Sequence, residues 1–260
     1  MKFKYALFIT ALAFATFLIT SCSDNETGPS NPKEQSIYLQ GTDVYDEDIF
    51  AELLICQTKD YNAQLQRFVE YPSFDCSFTD PTRLYAVQAG AVTLNSESVP
   101  RYGAFTQGAP TDSVYTYGDS EWGSKAAFNG SQNVWTVSGG SNIPAFNISV
   151  NSPGYKIEFT SPQLNQNVSK ASGFTITWNN GGAPAQSVWI NIRQEGSGNY
   201  ETLSSDTGSL VIAPAALAKF QAGELWIDAY SYNYTLQDIG GGKYAVAVVS
   251  SAYSLPVTLN

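Results

Sequence analysis

Short runs in which apolar and polar residues alternate recur along the chain from residue 36 onward, and glycine, proline, asparagine or aspartate interrupts them at close intervals. A strand sends successive side chains to opposite faces, so alternation of period two marks a half-buried strand, and the interruptions mark turns. The pattern predicts strands near 36–40, 49–57, 84–94, 113–117, 134–138 and 146–150. Further strands are predicted in the segments FTITW, SVWINIRQ, GSLVIA, ELWIDAYSYNY and KYAVAVVSSAYSLPVTL that follow. Helical spacing surfaces only at 61–69, where Leu65 and Phe68 stand three apart, and at 214–220, and both stretches are short enough to be turns. The run Asn151-Ser152-Pro153-Gly154 breaks two apolar patterns and sets a domain boundary there. The expected fold class is therefore all-β, with two β-sandwich domains covering residues 37–155 and 156–260.

Composition narrows the chemistry. The 260 residues carry 13 basic and 23 acidic side chains, a formal charge of −10, and no histidine. Such a surface lacks the basic footprint that nucleic acid requires. Without histidine there is no Ser-His or Cys-His nucleophile and no His-bearing zinc site. The glycine pairs and triplet at 139–140, 181–182 and 240–242 lack the spacing of phosphate cradles, and the last sits between two strand patterns as a hairpin turn. No cofactor is expected.

The start of the chain reads Met1-Lys2-Phe3-Lys4, then an apolar run to Ile19, then Thr20-Ser21-Cys22. A basic start and an apolar segment too short for a comfortable membrane span have the form of a cleaved secretion signal over residues 1–21. Ile19-Thr20-Ser21-Cys22 resembles the lipobox of bacterial lipoproteins. The resemblance implies cleavage before Cys22, lipidation of its thiol and acylation of its new amine, and several acyl chains make a stable anchor. Residues 22–36 lack large apolar side chains and read as a stalk. The acidic Asp24-Asn25-Glu26 resembles the surface-export tethers of Bacteroidetes-type lipoproteins. The expected location is the outer membrane, on its periplasmic or exposed face, with the membrane itself as the partner of the anchor.

Phe174-Thr175-Ile176-Thr177-Trp178 resembles the second strand of fibronectin type III and related immunoglobulin-like domains, in which alternating apolar residues end on a core tryptophan. The resemblance implies an immunoglobulin-like sandwich over 156–260, and Leu225 departs from it where the family places a tyrosine. In an oxidising compartment Cys56 and Cys76 suggest a disulfide, and closing a loop of this length stabilises by about 3 kcal/mol in the chain-entropy model; two buried free thiols are the alternative.

Three groups of residues qualify as sites. Asp43, Asp46, Glu47 and Asp48 could meet calcium but lack the spacing of a ligand loop, so a solvated turn is the simpler reading and no metal site is expected. Asp119 and Glu121 beside Trp122 could serve a glycoside hydrolase, which needs two carboxylates at a defined separation. The third group comes from strand parity. With Val188, Ile190 and Ile192 inward, Trp189, Asn191 and Arg193 face outward. With Leu225, Ile227 and Ala229 inward, Trp226, Asp228, Tyr230 and Tyr232 face outward. In immunoglobulin-like domains these strands are neighbours, which would gather the outward set on one face. Rings with a few polar groups suit stacking on sugars, and the same residue types dominate protein interfaces. The sequence thus points to a non-enzymatic binding module for a neutral glycan or an envelope protein. The alternatives are a structural component of an outer-membrane complex and, behind it, a hydrolase.

Overall fold

The structure, a computed structural model, describes residues 42–44, 46–79, 87–106, 109–117, 126, 128–140 and 142–260, with backbone alone at 47, 101–106 and 109–117. Cys22, the stalk, the strand expected at 36–40 and the trio Asp119, Glu121 and Trp122 lie outside the described residues. The chain divides into two units, Met1–Ile49 and Phe50–Asn260. In the first, Asp46–Asp48 form a single 3-10 turn. The second is all-β. Among the described residues no helix is long and apolar enough to cross a membrane.

Among the described residues sixteen strands build three sheets. The first eight are β1 (Ile49–Asn62), β2 (Arg67–Phe78), β3 (Val92–Leu94), β4 (Glu97–Ser98), β5 (Arg101–Thr106), β6 (Ala109–Tyr117), β7 (Gln132–Val137) and β8 (Phe146–Asn151). The remainder are β9 (Phe159–Ser161), β10 (Asn167–Val168), β11 (Phe174–Trp178), β12 (Ser187–Gln194), β13 (Gly198–Ser204), β14 (Ser209–Ile212), β15 (Gly223–Gly240) and β16 (Lys243–Leu259). A nine-stranded sheet runs β13-β12-β15-β16-β1-β2-β6-β5, with β10 beside β16; smaller sheets run β14-β11-β9 and β4-β3-β7-β8.

The β15–β16 hairpin organises all of this. Its register holds from Gly223 opposite Leu259 to Asp238 opposite Tyr244, and a one-residue shift at Ile239 then sets Gly240 opposite Lys243. At about 3.3 Å per residue, strands of this length span more than 50 Å, enough to serve two cores in succession. The turn is made by Gly240, Gly241 and Gly242, all at positive φ, a backbone region that three successive glycines enter without a Cβ penalty. On one face of β16, Ala245, Ala247 and Val249 join a core built from Leu53, Ile55, Phe74, Phe78, Leu94, Trp135 and Ile148. Farther along the same face, Tyr253, Leu255 and Val257 join a second core with Ile157, Ile176, Trp178, Val188, Ile190, Ile192, Leu225 and Ile227.

Between the two cores this face turns polar. Asn233 is buried, donates through Nδ2 to the Asn151 carbonyl at 2.9 Å and accepts the Gln186 N–H at 2.6 Å. Ser251 is buried and accepts the Ile157 N–H at 3.1 Å. These side chains satisfy the backbone of the segment that links β8 to β9, which would otherwise carry unpaired groups under cover. Gly154 in that segment is held by its N–H to the Ala183 carbonyl at 2.8 Å, and a Cβ there would come within 2.2 Å of the Ala183 nitrogen. The approach demands glycine.

In the first core Trp135 is fully buried and its indole N–H has no acceptor among the described residues. Leaving a donor unpaired costs about 1–3 kcal/mol, whereas burying about 200 Å² of ring contributes about 5 kcal/mol, so packing wins. Trp178 of the second core meets its polar need. Its Nε1–H donates to Asp206 Oδ1 at 2.9 Å, while Oδ2 accepts the Tyr155 hydroxyl at 2.6 Å and the Ala185 N–H at 2.8 Å.

At 61–69 the turn reading holds: the stretch is a hairpin in which Leu65 is exposed in a turn closed by its N–H to Asn62 Oδ1, and Phe68 stacks on Tyr253 at 5.3 Å. The disulfide is corrected. Cys76 stands opposite Leu53 and Cys56 opposite Ser73, so a three-residue offset puts the thiols on opposite faces and about 10 Å apart along the strand, beyond bridging range. Both are free. The stretch at 214–220 contributes only a 3-10 turn, Pro214–Leu217.

Two measurements check this architecture. Asp206→Ala strands the Tyr155 hydroxyl and the Trp178 indole and should lower unfolding free energy by about 2–3 kcal/mol in denaturant titration. Burial pushes the pKa of both Cys56 and Cys76 up. Mass-mapped alkylation should therefore leave both unmodified until the protein unfolds, and a reductant should not shift Tm.

Candidate functional site

The outward face of β12 and β15 carries the candidate site. In the β12–β15 register Trp189 stands opposite Tyr230, Asn191 opposite Asp228, Arg193 opposite Trp226 and Ser187 opposite Tyr232. Directly opposed residues of an antiparallel pair have neighbouring Cβ atoms, so the expected residues become a ladder of cross-strand pairs. The Trp189 and Tyr230 rings lie 4.9 Å apart at a 41° tilt. The Arg193 guanidinium sits 5.1 Å from the centre of the Trp226 ring, within cation–π range. Trp226 also donates its Nε1–H to Glu224 Oε1 at 3.0 Å.

Asp228 holds the ladder together from below. It is buried, and its carboxylate accepts Arg193 Nε at 2.8 Å, Arg193 Nη2 at 3.4 Å, Asn191 Nδ2 at 3.2 Å and the Ser254 hydroxyl at 2.5 Å. Burial works against the Arg193 charge, but the Asp228 hydrogen bonds and charge outweigh it and raise its pKa above the ordinary arginine value. The acid is thus spent on positioning Arg193 over Trp226. Tyr232 is buried as well, which leaves Trp189, Asn191, Arg193, Trp226 and Tyr230 as the residues that reach solvent. Beside Arg193 and Trp226 lies an open depression of about 710 Å³, lined also by Glu195, Gln221 and Glu224.

Sequence parity missed the continuation of this face across β16 onto β1 and β2. Ser250 donates to the Ile55 carbonyl at 3.3 Å, and Lys59 lies 5.9 Å from the Tyr253 ring, so contacts advance in step along both strands, as in parallel pairing. The outward residues are then Cys56, Thr58 and Asp60 of β1, with Tyr71, Ser73 and Asp75 of β2. Tyr71 donates its hydroxyl to Asp60 Oδ2 at 2.7 Å. Burial raises the Asp60 pKa, and the Asp228 charge adds to the rise against the opposing effects of Tyr71 and Arg193. A register between strands nearly two hundred residues apart leaves no local trace in a sequence.

Among the described residues no three His, Cys, Asp or Glu side chains converge as metal ligands would; of the acidic group near the start, the Glu47 side chain lies outside them. No protein-family model matches the chain, and no curated protein matches it. Among solved structures the chain is similar to one described as "Crystal Structure of Rst D1-D2", with 12% identity and a TM-score of 0.21 over 78% of this chain and 95% of that one, a likeness too weak to carry any argument.

Farther along β2, burial and the nearby Glu52 charge raise the Asp75 pKa from 3.8 to about 6. A carboxyl whose pKa rises on folding binds more protons folded than unfolded, so stability falls as pH climbs from about 4 to about 6. Asp75→Asn should flatten that part of the pH–stability curve and stabilise the protein at neutral pH by up to about 3 kcal/mol, read by urea titration across the window.

Proposed function

We propose that this chain is a lipid-anchored cell-envelope protein that acts as a non-enzymatic binding module, with the outward face of β12 and β15 as its site and a neutral glycan as its ligand. The observation that carries the reading is the ladder of Trp189 on Tyr230 and Trp226 under Arg193, a ridge of half-buried rings beside an exposed guanidinium. Rings of this kind stack on the C–H faces of sugars, and the guanidinium supplies donors to hydroxyls. Because Asp228 matches the Arg193 charge, the ridge carries no unbalanced cation for an anionic ligand. A chain of formal charge −10 likewise favours a neutral partner over an acidic one.

The anchor rests on the lipobox resemblance ending at Cys22, and the face of the outer membrane on which the protein stands follows from export of that anchor. For the C-terminal half we infer an immunoglobulin-like sandwich. The support is the opposition of β14-β11-β9 to β13-β12-β15-β16 around Trp178, together with the FTITW pattern of β11.

The full chain in mild detergent should be retained on one or more of immobilised glucan, mannan, galactan and xylan. Trp189→Ala and Trp226→Ala should each abolish retention with Tm unchanged. Retention that survives both substitutions would remove the site from this face, and a chain that passes through every column unretained would favour a protein partner instead.

A further inference from the structure

The aromatic ridge forms one side of a wider face, and the opposite side is built from different chemistry. Between them runs β16, whose outward residues Ser250, Ala252 and Ser254 stand opposite Tyr232, Tyr230 and Asp228 of β15. These are among the smallest side chains available. Beyond β16 the face rises again at Asp60 of β1 and Tyr71 of β2, joined by the 2.7 Å hydrogen bond. With strands about 4.8 Å apart, β15 and β1 are about 10 Å apart across this strip, whose Ala252 and Ser254 are themselves buried beneath their neighbours.

Both sides face the same space. The Asp60 carboxyl feels the charges of Asp228 and Arg193, and the Tyr230 hydroxyl feels Asp228, Cys56, Asp60 and Tyr71. The polar capacity here is only half used. Asp60 Oδ2 is occupied by Tyr71, whereas Asp60 Oδ1 has no hydrogen-bond partner among the described residues. Arg193 commits Nε and Nη2 to Asp228, and its Nη1 has no partner among the described residues. An acceptor on one side and a donor on the other, with a ring ridge between strands, matches what a neutral polyol needs: an apolar face to stack on and fixed partners for its hydroxyls. A protein partner would call for aliphatic cover, whereas this strip is lined by Thr58, Ser73, Ser250 and Ser254, with Ser250 donating to the Ile55 carbonyl and Ser254 to Asp228.

We infer that Asp60 and Tyr71 form the hydrogen-bonding side of the glycan site, fixing the hydroxyls of a sugar ring that stacks on Trp189 and Tyr230; this rests on the proposed glycan-binding function. The ridge supplies affinity for any pyranose, and the Asp60–Tyr71 pair decides which one is preferred. A carboxylate oxygen accepts hydroxyls only in the direction it points, so it distinguishes sugars that differ in the orientation of one hydroxyl, which flat stacking does not.

The test is affinity electrophoresis of the full chain through glucan, mannan and galactan, with Asp60→Asn, Tyr71→Phe and Trp189→Ala alongside. Expected are complete loss of retardation on all three polymers for Trp189→Ala, and about a tenfold or greater loss for Asp60→Asn and Tyr71→Phe, with the preference among polymers flattened. Should Tyr71→Phe lower Tm, Asp60→Glu replaces it: the charge stays, the oxygen moves by one methylene, and the order of preference changes. Wild-type affinity and preference in Asp60→Asn and Asp60→Glu, with Trp189→Ala still inactive, overturns this inference and leaves the ridge as the whole site. Absence of retardation for the unsubstituted chain on every one of these polymers and on xylan overturns both the inference and the function beneath it.

Discussion

Everything described in residues 50–260 depends on one hydrogen-bonded ladder, the β15–β16 hairpin. Each half of the chain has too few strands of its own to enclose a core: the four-stranded sheet needs a facing layer, and so does the three-stranded one. The hairpin supplies part of both. Its inward face reads as alanine and valine where it meets the first core and as tyrosine, leucine and valine where it meets the second. Asn233 and Ser251 between them mark where one core ends, and they anchor the linker by hydrogen bonds, not by packing. Ion pairs reinforce the junction. Lys59 bridges Glu158 at 2.7 Å and Glu70 at 3.8 Å, and because these groups are partly exposed their worth is modest, about 1 kcal/mol or less each.

The same ladder makes the outward face rigid. A tryptophan on a loop loses rotamer freedom when it binds, whereas Trp189 and Trp226 stand on paired strands and lean on Tyr230 and Arg193 beforehand. Asp228 converts a flexible arginine into a fixed one. The arrangement places the entropic cost in folding, where the hairpin's many contacts offset it, and leaves little to be lost in the binding proposed for this face.

What the sequence made legible was what is local. Alternation in SVWINIRQ and ELWIDAYSYNY was enough to assign Trp189, Asn191, Arg193, Trp226, Asp228 and Tyr230 to one face, because parity survives any register that keeps the apolar set inward. Turn chemistry was equally plain at 240–242. The cysteines misled because loop length says nothing of offset: an antiparallel hairpin fixes the partner of Cys56 as Ser73 regardless of how favourable a bridge would be. Leu65 and Phe68 left helix and turn open because a spacing of three also occurs by chance across a turn. Burial of Asp228 and Tyr232, and the addition of Asp60 and Tyr71 to the face, required knowing that β16 and β1 lie side by side, which no window of sequence contains.

That neighbour relation has a kinetic consequence. β16 lies in the middle of the nine-stranded sheet, yet it follows every other described strand, and its contact from Ser250 to Ile55 spans 195 residues. Long-range pairing of this kind makes folding slow, since loop closure must precede the contacts that reward it. Until β16 is made and inserted, β1 and β15 each keep a long edge without its partner, the kind of surface that recruits strands from other chains. The open edges of β1 and β15 therefore persist until the central strand, the last of those described, is inserted between them.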